Sequence, residues 1–137
     1  MKETPAIYVH DTKETPYAMQ IVEGLKRIET RTRNVLRNFV GQRVLVIRTR
    51  SGHKAEVIGE VTISSAVWLG TQTLDENRHL TLIPKGSKFD VSEGGKWCYW
   101  LKDPVKYGFP VPLSDYEIIT RNMSYAIVKG ETSHESK

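Results

Sequence analysis

"VEGLKRIETRTR", Val22–Arg33, decides how the chain is read, because a helix has to end inside it and a strand has to begin. Lys26, Arg27, Arg31 and Arg33 follow Gly24 in close order, with Glu29 as the carboxylate among them. Upstream, Thr15 followed by Pro16 predicts a helix start, since threonine caps and proline's fixed φ and missing N–H suit the first helical position. The segment from Pro16 to Glu23 turns Tyr17 and Ile21 toward a core, and Gly24 supplies the left-handed residue that ends it. Lys26 leaves directly from that turn. If 28–33 is extended, Ile28 and Thr30 point to the core while Glu29, Arg31 and Arg33 line the opposite face.

Downstream the chain reads as strands. "RVLVIRT", Arg43–Thr49, is apolar on both faces, as in a strand covered on both sides, and "RSGH" after it is a turn. "AEVIGEVTISSAVWL" alternates, with Ala55, Val57, Val61, Ile63 and Val67 on one side and Glu56, Glu60, Thr62, Ser64 and Trp68 on the other; a run of this length bends or bulges near Gly59. Thr73 with Glu76 three residues later predicts a capping box and a short helix to about His79. "KWCYWL" follows the turn residues Gly94 and Gly95, and "YEIITRNMSYAIVK" supplies one or two further strands. The fold class is mainly β with flanking helices (α+β), a small barrel or strongly curled sheet of mixed, largely antiparallel strands.

The 137 residues suit one domain, read as 1–129, with the polar "GETSHESK" of 130–137 as a frayed tail. Twenty Lys and Arg against sixteen Asp and Glu give +4, compatible with a polyanionic partner but far from a dense basic coat. Cys98 is the sole cysteine, so no intrachain disulfide forms and a reducing, cytoplasmic setting fits. No apolar run approaches the ~20 residues that span a bilayer, so no membrane partner is expected. His10, His53, His79 and His134 never fall at ligand spacing, and neither a metal nor another cofactor is called for. The sequence does not disclose an oligomeric state.

One carboxylate beside two guanidinium groups makes a face that can grip an anion, since arginine offers a planar two-bond fork. A lysine near other cations in a partly desolvated cleft has a lowered pKa and becomes usable as a base or proton shuttle. Alternating charges are also what a solvated strand face shows, with surface pairs worth ~0–1 kcal/mol. Residue pattern alone leaves both readings standing.

The run Gly24, Lys26, Glu29, Arg31 resembles the G-x-K-x-x-E-x-R signature of the ASCH domain family, relatives of the PUA-like RNA-binding fold. The glycine-led "VGQRVLVIRT", then "GEVTISSAVW" and "KWCYWLKDPVKY", resemble the family's following blocks, so the similarity runs from about Tyr17 to Lys129. The resemblance implies a PUA-like β-barrel and a cleft that binds RNA, a nucleotide or a nucleoside. It also implies a possible activity in that cleft, as a ribonuclease or as an amidohydrolase of acetylated cytidine. By the same likeness Lys26 is the cleft lysine, Glu29 its acidic neighbour and Arg31 the anion-gripping arginine. Lys26 and Glu29 are the catalytic candidates; Arg31 and Arg33, with Trp68 as a stacking platform, are the nucleic-acid-binding candidates. The small acetylcytidine hydrolases carry threonine where this chain has Glu29, a departure that touches their catalytic set. A protein-interaction domain in which the signature only braces the fold is the third reading.

Of the aromatic residues, Trp68 stands on the polar side of its strand, whereas "KWCYWL" sends Cys98 and Trp100 one way and Trp97 and Tyr99 the other. Lys85, Lys88, Lys96, Lys102 and Lys106 form a second basic stretch diluted by Asp90, Glu93 and Asp103, as in an ordinary soluble loop. Cys98, inside an apolar strand, reads as a buried inert thiol.

Overall fold

The computed structural model describes residues 2–90 and 94–130. Along them run β1 (Glu3–His10), α1 (Tyr17–Val22), β2 (Ile28–Arg31), β3 (Arg43–Arg50), β4 (His53–Leu69), α2 (Thr71–Glu76), α3 (Arg78–Thr81), β5 (Lys96–Pro112), β6 (Glu117–Arg121) and β7 (Tyr125–Lys129). The strands form one seven-stranded sheet in the order β2-β5-β4-β3-β1-β7-β6. The predicted tail 131–137 and part of the second basic stretch, residues 91–93, lie outside the described residues.

The expectation of a barrel of mixed, largely antiparallel strands is corrected to an open, mixed sheet. β1 runs parallel to β3 and antiparallel to β7. The sheet does not close, because β2 forms a ladder with β5 alone and none with β1, whose second edge is held by β7 over most of its length. β7 covers β1 only from Glu3 to Ile7, so the last residues of β1 face a gap. The sheet still curls until β2, four places away in strand order, reaches β1 through a side chain: Arg31 Nη2 donates to Tyr8 O at 2.8 Å.

The curl is carried by the two 17-residue strands, β4 and β5. Their ladder shifts register between Val57 and Gly59, between Glu60 and Thr62, and between Ile63 and Ser65. Each irregularity bends the strand and raises its twist. The bulges also re-phase the side chains: Val57 packs in one core cluster while Ile58, Val61 and Ile63 pack in the other. The strict alternation read from the sequence therefore fails for Val57, although the bulge beside Gly59 is present. β3 behaves as expected, with Val44 and Val46 in one cluster and Leu45 and Ile47 in the other.

α1 lies on the first cluster, contributing Tyr17, Ala18, Ile21 and Val22. Thr15 does not cap it; Asp11 does, its Oδ1 accepting from Ala18 N at 2.6 Å. Gly24 ends the helix at φ +80°, and the N–H groups of Leu25 and Lys26 both return to Gln20 O at 2.9 and 3.0 Å. The capping box at Thr73 is absent, because α2 starts at Thr71 after Gly70 and Thr73 sits inside it.

Helix and sheet are in tight contact at Gly59. A Cβ there would stand 2.7 Å from Val22 Cγ1 and nearer still to Val105 O. Gly59→Ala is expected to destabilise the fold by at least about 1–3 kcal/mol, as overpacking does against backbone that cannot retreat. Urea unfolding reads this directly; a midpoint unchanged from wild type would show that α1 does not rest on β4 at this glycine.

Candidate functional site

The gap between β1 and β2 is a half-open cleft of about 350 Å³. Tyr8, Val9 and His10 form one wall and Glu29, Thr30, Arg31 and Thr32 the other, with Tyr17, Ile83, Phe89, Lys26 and Lys96 around the floor and end. It occupies the place where a barrel would have closed.

Lys26 is 2% exposed. Its Nζ donates to Thr81 O, stands 3.8 Å from Glu29 Oε1 and lies 5.0 Å from the centre of the Tyr17 ring. The Thr81 carbonyl is offered by the end of α3, where Leu82 turns left-handed at φ 56°. Burial lowers the Lys26 pKa from 10.5 to about 8, Glu29 opposing the shift and Lys96 and Arg31 adding to it. Glu29 is 8% exposed, and its Oε2 accepts from Arg31 Nε at 3.0 Å and pairs with Nη2 at 2.9 Å. Arg31 thus spends Nε and Nη2 on Glu29 and Tyr8 O. Among the described residues only its Nη1 is left to meet a ligand.

The structure brings together Lys26, Glu29 and Arg31 and places the other two candidates elsewhere. β2 stops at Arg31, so the alternation that would have aligned Arg33 stops with it. The buried Tyr99 hydroxyl accepts from Leu36 N at 3.2 Å and donates to Asn34 Oδ1 at 2.8 Å, fixing the turn after the strand. Arg33 is exposed and lines a separate polar pocket of about 260 Å³ with Asn34, Arg37, Asn122 and Tyr125. Trp68, 45% exposed near the end of β4, packs edge-on against Trp97 with ring centres 5.9 Å apart, outside the cleft lining. Thr30, expected in the core beside Ile28, lines the cleft instead, because β2 is an edge strand with β5 on one side and the gap on the other.

Three contributors escaped the sequence reading. Tyr17 is both a core residue and the aromatic face over Lys26. His10 opens onto the cleft with Nδ1 at 3.0 Å from Thr49 Oγ1, and β1 was not anticipated at all. Lys96, assigned to a soluble basic stretch, is 6% exposed and its Nζ donates to Phe89 O at 2.6 Å. Its signal was its position two residues before Cys98 at the start of a strand. Cys98 itself is fully buried, and burial pushes its pKa up to about 11, as suits an inert thiol.

No protein family and no curated protein matches this chain by sequence. By structure it is similar to ASCH proteins from Zymomonas mobilis. A serine-to-alanine variant of ZmASCH superposes with a TM-score of 0.63 at 20% identity, over 80% of this chain and 75% of that one. The ASCH protein itself gives 0.59 at 20%, over 80% and 74%, and a tyrosine-to-phenylalanine variant gives 0.59 at 20%, over 80% and 76%. The chain has an ASCH-like fold. Among the described residues no helix is long and apolar enough to cross a membrane.

The Lys26 shift has a thermodynamic signature. Between pH about 8 and 10.5 the unfolded chain holds a proton at this lysine that the folded chain has released, so folding gains stability as pH rises across that window. The cost of burying the charge is present in full below pH 8. Relative to Lys26→Met, wild type is expected to gain on the order of 3 kcal/mol between those limits, read by denaturant unfolding as a function of pH. A difference that stays flat would mean that Lys26 titrates as an ordinary lysine.

Proposed function

We propose that the cleft binds RNA or a nucleotide or nucleoside, with Lys26 and Arg31 as its polar contacts and Glu29 holding both in place. The observation that carries this reading is the nearly inaccessible Lys26 ammonium set against a carboxylate–guanidinium pair at the floor of a 350 Å³ cleft. That volume lies at the low end of small-molecule sites, enough for one unpaired nucleotide unit and too small for a duplex. Tyr8, Tyr17 and Phe89 provide the aromatic lining on which unpaired bases stack. The ASCH-like fold is consistent with the reading, and Cys98, alone and buried, suits work in a reducing compartment such as the cytoplasm.

A specific feature favours a second reading, a hydrolase in the same cleft. A lysine with a pKa of about 8 exchanges protons near neutrality, which a lysine at 10.5 does poorly. In an amidohydrolase acting on an acylated base such as acetylated cytidine, Lys26 or Glu29 would activate water and Arg31 Nη1 would stabilise the oxyanion. The ribonuclease form draws less support, because it needs Arg33 beside Arg31 and Arg33 lines another pocket.

The two readings separate in one set of measurements. Binding alone predicts salt-dependent affinity for short single-stranded RNA that falls about tenfold or more in Arg31→Ala, with no product on long incubation. Catalysis predicts turnover of acetylated cytidine or RNA that disappears in Lys26→Ala while thermal unfolding stays cooperative. If neither substitution alters binding or turnover, the signature is a structural brace.

A further inference from the structure

We infer that Lys96 and Lys26 together form a seat for a phosphate group, which makes the guest of the cleft a phosphorylated nucleoside rather than a neutral one. The inference rests on the nucleotide reading above and adds the part of the ligand that the signature does not address.

The charges lining the cleft do not balance. Glu29 is the one carboxylate among the described residues that line it, and it is shared by Arg31 at 2.9 Å and Lys26 at 3.8 Å. Lys96, like Lys26 nearly inaccessible at 6% and 2% exposed, is the third cation set against that single carboxylate. Each donates to a backbone carbonyl, Thr81 O for Lys26 and Phe89 O for Lys96. Lys96 has no carboxylate within ion-pair distance among the described residues. Asp90, which lines the small adjoining pocket, is held by Arg78 Nη2 at 2.9 Å and accepts from Gly86 N at 2.5 Å.

Ammonium groups are rarely kept in such positions without a counter-charge, because removing each from water costs several kcal/mol. Burial lowers the pKa of both lysines, against the opposing pull of Glu29 on each and of Asp90 on Lys96. An ammonium has three donors, and one carbonyl uses one of them. Two lysines reaching the same cleft from β5 and from the turn after α1 can therefore share the oxygens of one phosphate. A carbonyl-bearing neutral ligand would leave most of those donors idle.

Isothermal titration of the four ribonucleosides, their 5′- and 3′-monophosphates and inorganic phosphate, against wild type, Lys96→Met and Lys96→Arg, tests the inference. A monophosphate is expected to bind wild type at least tenfold more tightly than its own nucleoside. That ratio should fall to within twofold in Lys96→Met and be largely restored in Lys96→Arg. Loss of folding would weaken both ligands alike, so the ratio isolates the charge. Equal binding of nucleoside and monophosphate to wild type, or a phosphate preference that survives Lys96→Met, overturns the seat and leaves the nucleoside reading standing. Lys96-dependent binding of inorganic phosphate with no binding of any nucleoside or nucleotide keeps the seat and removes the nucleotide reading. Binding of none of these ligands overturns both.

Discussion

A strand has two edges, and in this protein β1 uses both along most of its length. β3 takes one edge of β1 and β7 most of the other, so the curl that brings β2 round to β1 cannot end in a ladder. What remains is a seam whose rim is hydrogen-bonded by Arg31 to Tyr8 O. The arginine does for one residue what a neighbouring strand does for five or six. Because it is also tied to Glu29, the position of the carboxylate, and through it that of Lys26, follows from how far the sheet has curled. The bulges of β4 and β5 set that curl, and so a register detail far from the cleft fixes distances within it.

The site is built at the expense of comfort. An ammonium below a tyrosine ring, gripped by the carbonyl that precedes a left-handed leucine, is a costly arrangement on three counts: desolvation, repulsion from Lys96, and the roughly 1–2 kcal/mol of a non-glycine residue at positive φ. A core made of the surrounding aliphatic residues tolerates it. Val9, Tyr17 and Ile83, which line the cleft, belong to the same cluster as the sheet's own interior.

What the sequence disclosed follows from where its rules are local. Gly24 as helix terminator, Lys26 leaving the turn, and the doubly covered Arg43–Thr49 strand depend on a few neighbouring residues, and each is found. Lys26, Glu29 and Arg31, close in sequence, also stand together along one cleft. Arg33 was misplaced because two-residue alternation holds only while a strand continues, and the Tyr99 hydroxyl that ends β2 comes from 65 residues away. Val57 changed faces for the same kind of reason, a bulge whose phase no window of side chains contains. β1 was overlooked because Pro5 interrupts a short run, yet it is central; proline is accommodated near the beginning of the strand. Lys96 looked like a loop lysine since charge counts carry no information about depth. The absence of closure had no local sequence signal, because it depends on β7, more than 110 residues along the chain from β1, holding most of the β1 edge that β2 would need.

The sides of the cleft are not equivalent. Two are strands, locked into the sheet by their backbones. A third comes from Ile83 and Phe89, in the connection between α3 and β5, whose described residues add no rung to any ladder and are fastened to the frame by the Tyr17–Phe89 edge contact and the Lys96 bond. Frame and wall are thereby encoded in separate stretches of chain. Substitution at Ile83 or Phe89 can reshape the hollow without breaking a rung of the sheet.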